Sequence, residues 1–285
     1  MKRIAIAGAT GMLGWPVAKA LADNGFEVTA LIRSVKDKKD HANINWIEGD
    51  LKEPETIRTF LYGQDAVHLN LSVKQSERET DWHAEEQGLE NLLRIAQEAR
   101  LKKVSYLSSL IMNYQADGFN WWVFRLKQKA VNLVKQSGLS AIIFYPSTFM
   151  ETLVHQYKAG SFLILAGESK YKQYFIAAED YAQQVVRSYK LPGHSGVREY
   201  VVQGATGYTT DEAIALFKKQ ISQKLFTLRA PLGLIRFYGK FIQKMNYGYH
   251  ILEALNNYPE KFEAESTWEE LGKPEITLEK FSKRV

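Results

Sequence analysis

Residues 3–14 read RIAIAGATGMLG, a short apolar run followed by three glycines spaced as G-x-x-G-x-x-G. Gly8 permits a tight turn after a strand, Gly11 lets a pyrophosphate approach the main chain, and Gly14 lets a helix pack close to the sheet. The amides at the start of that helix would face the phosphate charge. The stretch therefore predicts a dinucleotide-binding turn. Its predicted cofactor-binding residues are Gly8, Thr10, Gly11, Met12, Leu13 and Gly14.

The N-terminal half alternates short apolar runs with longer helical patterns, which is typical of parallel strands joined by crossover helices. Strands are predicted at Arg3–Ala7, Glu27–Ile32, Asn45–Glu48, Ala66–Leu69, Lys103–Leu107 and Ala141–Tyr145. Helices are predicted near Met12–Asn24, Pro54–Leu61, Thr80–Arg100 and Asn120–Gln136. Gly25 and Gly138 stand just before predicted strands, where left-handed C-terminal caps would end two of these helices.

This alternation predicts an α/β fold, a doubly wound and mostly parallel Rossmann sheet with a smaller C-terminal substrate lobe. Residues 1–146 are predicted to form the dinucleotide-binding domain. The alternation weakens beyond them, and residues 147–285 are predicted to form a substrate-binding lobe interleaved with the first domain. Ligands of such a sheet bind at the carboxyl ends of its strands, so the site is expected there.

The end of the second predicted strand indicates which dinucleotide is bound. NAD-specific proteins usually carry an acid there, about 20 residues beyond the turn, to hold the adenosine ribose. This chain reads Leu31-Ile32-Arg33-Ser34 instead. A guanidinium pairs bidentately with a phosphate, so Arg33 favours NADP(H) over NAD(H), unless it stacks on the adenine or is solvated. Further predicted cofactor contacts are Asp50 and Leu51 at the adenine and Asn70 and Leu71 at the ribose.

Composition excludes several classes of function. The net charge of +5 suits an anionic partner, but the basic residues are scattered among nearly as many acids and accompany no nucleic-acid motif, so no nucleic-acid partner is predicted. The absence of cysteine excludes disulfides, thiolate metal sites and cysteine nucleophiles. The six histidines show no ligand spacing, and no metal site is predicted.

Two segments raise the question of a membrane. Lys2 and Arg3 precede a small-apolar run that resembles a signal peptide, but glycines and Pro16 interrupt it at the spacing of the turn. No apolar stretch approaches the roughly 20 residues of a spanning helix, so we expect a soluble, cytoplasmic protein without stable membrane insertion. The segment Leu225–Tyr258 mixes aromatic residues with four cations. It is predicted to pack against the protein or a sister subunit; the alternative is an amphipathic helix on a membrane surface.

Several different short motifs are distributed over nearly the whole chain. They are Gly8–Gly14, Ala30–Arg33, Gly49–Leu51, Gly88–Leu92, Ser108–Ser109, Ser137–Leu139, Pro146–Glu151 and Glu179–Ala182. In this series the chain resembles the extended and atypical short-chain dehydrogenase/reductases, particularly their NmrA-like branch. The resemblance implies an NAD(P)-binding Rossmann fold. It also implies further cofactor contacts at Ser108, Pro146 and Phe149.

Catalytic members of that family carry a Tyr-x-x-x-Lys pair on the helix before the sixth strand, where the lysine lowers the tyrosine pKa and orients the ribose. By resemblance the lysine is Lys127, and Val123 stands where the tyrosine belongs. Lys127 is then expected to hold the nicotinamide ribose, and Ser109 to occupy the place of the catalytic serine. Alternatively, Ser108 and Ser109 are strand-end serines that bond to the backbone.

A chain without that tyrosine can still transfer hydride, because hydride transfer depends on positioning and a quinone can take its proton from water. We expect an oxidoreductase, an NADPH-dependent reductase of a small organic acceptor. The alternative is a non-catalytic NADP(H)-sensing protein that regulates a partner, and a sugar-nucleotide epimerase or dehydratase is less favoured. A monomer or homodimer is expected. Candidate substitute proton donors are Tyr114, Tyr145, His155 and Tyr157.

Overall fold

The computed structural model describes residues 1–193, 195–221 and 223–285. In chain order its strands are β1 Arg3–Ala7, β2 Glu27–Ile32, β3 Ile44–Glu48, β4 Ala66–Leu69, β5 Lys103–Leu107, β6 Ser140–Pro146, β7 Lys158–Ala159, β8 Phe162–Ala166, β9 Val197–Val202 and β10 Phe226–Ala230. Its α-helices are α1 Gly14–Asp23, α2 Pro54–Leu61, α3 Leu89–Glu98, α4 Trp122–Gln136, α5 Thr152–His155, α6 Ala178–Lys190, α7 Thr210–Gln220, α8 Leu232–Gly239, α9 Gln243–Asn257, α10 Glu265–Leu271 and α11 Leu278–Ser282. Short 3₁₀ helices cover Val35–Asp37 and Leu110–Asp117, and a π-helical turn covers Ala84–Gly88.

Seven parallel strands form the main sheet, in the order β3-β2-β1-β4-β5-β6-β9. The chain runs outward from β1 through β2 to β3 and then crosses back to β4 on the other side of β1. This reversal of strand order is the topological switch point at which doubly wound sheets bind ligands. The predicted doubly wound parallel sheet is confirmed.

The core lies in two layers, one on each face of the sheet, because alternate residues of a strand point to opposite faces. Ala5 and Val67 pack with α2, α3 and α4 on one face, while Ile4 and Ile6 pack with α1 and α6 on the other. A third cluster, which includes Leu163 and Phe217, forms the core of the C-terminal part, where β7, β8 and β10 make a small separate sheet.

The predicted boundaries hold best where a local signal marks them. Gly25 and Gly138 adopt φ of 84° and 71°, as left-handed helix caps do. All six predicted strands are present, to within one residue at each end. The helix predicted from residue 80 begins instead with the π-helical turn and becomes α-helical only at Leu89.

Beyond residue 146 the chain returns to the main sheet. Helix α6 packs against α1, and β9 pairs in parallel with β6 along Ala141–Pro146. No strand was predicted here. Part of the chain beyond residue 146 is thus interleaved with the N-terminal sheet, and a division into two domains at residue 146 stays a prediction.

Candidate functional site

The glycine turn joins β1 to α1 through close main-chain contacts. Gly8 has φ of +85°, and a Cβ atom on it would lie 2.1 Å from the carbonyl oxygen of Asn70. A Cβ atom on Gly14 would lie 2.0 Å from the carbonyl oxygen of Gly8. Real atoms cannot approach so closely, so both positions need glycine for the packing of the protein itself. The end of β1, the end of β4 and the first turn of α1 therefore meet backbone to backbone.

Gly11 differs from the other two glycines. A Cβ atom there would meet only the Gly8 carbonyl oxygen, at an ordinary 3.5 Å. Gly11 lines both cavities at this edge of the sheet, so its missing side chain leaves room for a ligand rather than for protein. The first turn of α1 carries no acidic residue to neutralise the positive end of the helix. The turn thus fits a dinucleotide pyrophosphate.

Two cavities meet over the turn. The Arg33 cavity, of about 370 Å³, extends from the turn towards Arg33 and Asp50. The Trp121 cavity, of about 390 Å³, extends in the other direction towards Trp121 and Lys127. The residues that line both are Gly8, Gly11, Asn70, Leu71 and Ser72. A molecule with two ends joined by phosphates would place one end in each cavity.

The Arg33 cavity brings together the residues predicted for the adenosine half. Its lining includes Thr10, Arg33, Asp50 and Leu51 besides the shared residues. Arg33 is exposed, so its guanidinium can meet an added phosphate. The indole of Trp82 closes the far side, with the Lys52 ammonium 4.9 Å from its ring centroid.

The Trp121 cavity holds the remaining predicted site residues. These are Met12, Leu13, Ser108, Ser109, Lys127, Pro146 and Phe149. Gly14 lines neither cavity and lies beneath the turn. Ser108 donates to the sulfur of Met112 at 3.4 Å, and the Ser109 side chain does not cap the 3₁₀ helix that follows it.

One wall of the Trp121 cavity is apolar. Trp121 contacts Phe124 and Tyr247 with ring centroids 5.0 Å apart, and it stacks on His250 at 5.5 Å. Val123 also lines this cavity and is 2% exposed. The other apolar residues in the lining are Ile111, Ile251 and Leu255. The wall suits a flat, uncharged group.

Lys127 lies in an ion pair that the sequence did not reveal. Its Nζ donates to Glu85 Oε1 at 2.7 Å, and the Tyr106 hydroxyl donates to the same oxygen at 2.5 Å. Glu85 is fully buried, and its second oxygen has no hydrogen-bond partner among the described residues. Burial, with the nearby Glu85 carboxylate, raises the pKa of Tyr106 well above its ordinary value. The positive charge of Lys127 is therefore balanced by a carboxylate before any ligand binds.

Tyr247 brings a phenol to the cavity from α9, far along the chain from Lys127. Burial, with a contribution from the Glu85 carboxylate, raises the pKa of Tyr247 to about 12. Glu260 adds a carboxyl that accepts from Gln203 at 2.7 Å and from Ser147 at 2.9 Å, and burial raises its pKa. The phenol of Tyr247 stays protonated at neutral pH.

The four substitute proton donors predicted from the sequence lie elsewhere, because none of them is among the residues that line either cavity. Tyr145 donates to Glu199 at 2.5 Å, Tyr157 is buried in the C-terminal core, and Tyr114 stacks on Phe119. His155 is exposed on α5. The residues that the sequence analysis missed are Glu85, Trp121, Tyr247 and Glu260. Only a three-dimensional fold brings these together, and no local motif marks them.

Neither a membrane-spanning helix nor a cluster of metal ligands is found among the described residues. No helix in the described part of the chain has the length and apolar character needed to cross a membrane. Within residues 1–193, 195–221 and 223–285, no three or more histidine, cysteine or acidic side chains gather as metal ligands would.

Comparison with protein families places this chain's N-terminal two thirds in a family that binds a nicotinamide dinucleotide. A family model described as NAD(P)H-binding matches residues 8–192, from the first glycine of the turn to just beyond α6. Among curated proteins, the photosystem II assembly factor Ycf39 from Synechocystis is 25% identical over 267 residues, which cover 89% of this chain and 78% of that protein.

Solved structures share the fold over almost the entire chain. An NADPH-dependent quinone oxidoreductase from Escherichia coli, solved with NADPH, superposes with a TM-score of 0.73 and 19% identity and covers 99% of each chain. A nucleoside-diphosphate-sugar epimerase from Staphylococcus aureus superposes with a TM-score of 0.74 and 18% identity, covering 99% of this chain and 100% of the other. At such identities the likeness establishes the Rossmann architecture alone.

Proposed function

The chain belongs to the NAD(P)H-binding family, and from this premise we propose that it is an NADPH-dependent oxidoreductase that reduces a small, flat, apolar acceptor such as a quinone. The pyrophosphate would lie over Gly11, with the adenosine half in the Arg33 cavity and the nicotinamide half in the Trp121 cavity. Arg33 supplies the cation that recognises the additional phosphate of NADPH.

The observation that carries this proposal is the apolar wall of the Trp121 cavity. The bound cofactor would supply a hydride, and the protein has to hold the acceptor against it with the reacting atoms about 3 to 3.5 Å apart. Trp121, Val123 and Ile251 offer flat or aliphatic surface and no charge. A quinone ring gains from burial against such a wall, whereas a sugar would lose its hydrogen bonds with water there.

The ion pair at Lys127 supports the same choice of acceptor. A lysine that is balanced by Glu85 cannot lower the pKa of a neighbouring tyrosine as an unpaired lysine would, and Val123 has no proton to give. Reduction of a ketone needs a proton delivered to its oxygen. A quinone accepts hydride without that help, and the resulting anion takes its proton from water.

The test is NADPH oxidation, followed by absorbance in the absence of oxygen, with a panel of short-chain quinones and aldehydes. We expect turnover with quinones and little with aldehydes. Ile251→Glu, which places a charge in the apolar wall, should raise the KM for quinone at least about tenfold and change the Kd for NADPH by a smaller factor. Ile251→Leu is the matched control. Tight NADPH binding without oxidation by any quinone would reject the reductase.

A second candidate is a protein that holds NADPH and signals its presence to a partner. Two observations favour it: position 123 lacks the family tyrosine, and the similar curated proteins are described as photosystem II assembly factors. This candidate predicts NADPH binding without turnover, together with capture of a protein partner that is lost when NADP⁺ replaces NADPH. The absorbance assay thus separates the two functions.

A further inference from the structure

The positive charge of this protein is concentrated in one segment. The chain has 37 Lys and Arg against 32 Asp and Glu. Seven of those cations and none of the acids lie between residues 213 and 252, so the remainder carries 30 cations against 32 acids. The basic residues are thus scattered among acids over the rest of the chain, as predicted, but not in this segment. The seven cations are Lys218, Lys219, Lys224, Arg229, Arg236, Lys240 and Lys244.

The same segment exposes apolar side chains. Of the fifteen large hydrophobic residues found exposed in the described part of the chain, seven fall between residues 213 and 252. They are Phe226, Leu228, Leu234, Phe237, Tyr238, Phe241 and Ile242. The Phe237 ring contacts Tyr238 at 5.5 Å and Phe241 at 5.9 Å between centroids, so the aromatic residues at α8 form a contiguous group. Phe241 is 77% exposed.

The small sheet of β7, β8 and β10 also exposes apolar side chains. Phe226 and Leu228 pair in register with Phe162 and Ile164 of β8, and all four side chains are exposed. The rings of Phe162 and Phe226 lie 6.0 Å apart. Only Pro231 separates the end of β10 from the start of α8. Monomeric proteins rarely leave contiguous apolar groups of this kind uncovered unless they mark a binding surface.

We propose that β10, α8, the linker formed by residues 240–242 and the first turn of α9 bind the surface of an anionic lipid membrane. Aromatic and aliphatic side chains interspersed with lysine and arginine, with no carboxylate between them, suit the boundary between anionic headgroups and acyl chains. Phe237 and Phe241 enter the acyl boundary, while Arg236, Lys240 and Lys244 contact the headgroups.

The charge pattern favours lipid over a second copy of the chain. A two-fold dimer buries the same patch from each subunit, so Arg236, Lys240 and Lys244 of one subunit would face the same cations of the other. The segment itself contributes no acid to pair with them, and Arg229 is already paired with Asp211. Aliphatic Leu228, Leu234 and Ile242 offer nothing to the bases of a nucleic acid. An anionic membrane supplies both negative charge to pair with the cations and an apolar interior that buries the exposed aromatic and aliphatic side chains.

This inference goes beyond the proposed reductase and does not depend on it. Helix α9 follows the exposed linker and carries Tyr247, Ile251 and Leu255 into the Trp121 cavity. Membrane binding would therefore bring the acceptor-binding wall close to apolar molecules dissolved in the bilayer. Binding to vesicles is measured without cofactor or acceptor, so its failure and a failure of quinone turnover are separate results.

The experiment is flotation of the full chain with vesicles of phosphatidylcholine alone and of phosphatidylcholine with phosphatidylglycerol. We expect binding only to the anionic vesicles, weakened by salt. Lys240→Gln with Lys244→Gln, and separately Phe237→Ser with Phe241→Ser, should each weaken binding at least about tenfold. Lys190→Gln with Lys283→Gln removes equal charge elsewhere, and Val35→Ser with Tyr62→Ser removes exposed apolar surface elsewhere; both should bind normally.

All substituted residues are exposed, so unchanged thermal unfolding should accompany every variant. The proposal is overturned if the chain stays with the soluble fraction at low salt, or if it binds neutral vesicles equally well. It is also overturned if sedimentation velocity shows a dimer that the two phenylalanine substitutions dissociate, because the surface would then be a subunit interface.

Discussion

The two cavities at the edge of the sheet are built in different ways. The turn that they share is made of main chain from one short stretch, Gly8–Gly14, which packs closely on the Asn70 carbonyl at the end of β4 and needs Gly8 and Gly14 to have no side chain. The Trp121 cavity is made of side chains from segments more than a hundred residues apart, with Tyr247 packed on Trp121. One end of the site is thus a local structure, and the other exists only after the chain has folded.

This difference explains how one fold supports different chemistries. The turn recognises the phosphates common to every dinucleotide, and backbone amides suffice for that. The apolar wall of the Trp121 cavity determines which second molecule can bind. Its side chains, such as Val123, can be replaced one at a time without disturbing the turn. Substitutions at the turn should therefore affect folding and cofactor together, whereas substitutions at the wall should affect them separately.

The largest effect is expected from Gly14→Ala. Its methyl group would lie 2.0 Å from the Gly8 carbonyl oxygen, a main-chain atom that cannot move without displacing β1 from α1. We expect a loss of more than about 4 kcal/mol in the free energy of unfolding, measured by chemical denaturation. Gly193→Ala, which meets no atom within 4 Å, is the control and should cost little.

Gly11→Ala sharpens the same experiment. Its methyl group meets only an ordinary contact at 3.5 Å, so the protein should fold normally, while NADPH affinity should fall at least about tenfold because the methyl occupies the pyrophosphate position. NADPH affinity is measured by titration of tryptophan fluorescence, and stability by chemical denaturation as for Gly14→Ala. Equal stability losses in Gly11→Ala and Gly14→Ala would contradict the distinction between a ligand-facing and a protein-facing glycine.

The second effect concerns the buried pair beneath the wall. Glu85→Gln removes the charge that balances Lys127, although it keeps the volume and one acceptor for Tyr106. Loss of one partner of a buried ion pair leaves the other uncompensated, so we expect unfolding to become easier by about 3 kcal/mol. Lys127 borders the cavity and is 16% exposed, which places the cost at the lower end of the range for buried pairs.

The neighbouring residue offers a matched control for this substitution. Glu86 lies in the same π-helical turn and pairs with Lys129 at 2.7 Å, but both side chains reach solvent. Glu86→Gln should cost less than about 1 kcal/mol, as exposed pairs do. If the two substitutions destabilised the protein equally, burial of Glu85 would have no energetic role and the wall would not depend on this pair.

The sequence could predict the strands and the turn because their signals are local. Apolar runs of four to six residues mark strands that are covered on both faces of the sheet. Gly25 and Gly138 mark the ends of two helices. Strand β9 escaped prediction because Arg198 and Glu199 interrupt its apolar pattern. Its residues, Val-Arg-Glu-Tyr-Val-Val, are only partly buried and form no continuous apolar run.

The far wall could not be predicted for a different reason. Glu85 appears in the sequence as one of several acids on a helix, and only the folded structure shows that it points inward, to Tyr106 and Lys127, from a π-helical turn. Tyr247 likewise carries no motif. The resemblance pointed to Val123 as a missing acid, but the phenol that borders the same cavity comes from a part of the chain that the family motifs do not reach.

The smallest effect is expected at the outer end of the Arg33 cavity. Arg33→Glu replaces an exposed cation with an anion where the additional phosphate of NADPH would lie. We expect the Kd for NADPH to rise about tenfold, because a charge-assisted bond to phosphate is lost and repulsion is added. The Kd for NADH should stay the same or fall, since a carboxylate can accept hydrogen bonds from the ribose hydroxyls.

Lys36→Glu tests whether position or charge is responsible. Lys36 lies in the 3₁₀ helix three residues beyond Arg33; it is also exposed, but it does not line the cavity. Because each substitution replaces one cation with one anion, the two variants have the same net charge. A long-range field would weaken NADPH binding in both variants to a similar degree, and salt would abolish the difference from wild type. A specific contact with the phosphate would confine the loss to Arg33→Glu and to NADPH. Equal changes for NADPH and NADH would remove Arg33 from cofactor selection, because the turn binds only the phosphates that both dinucleotides share.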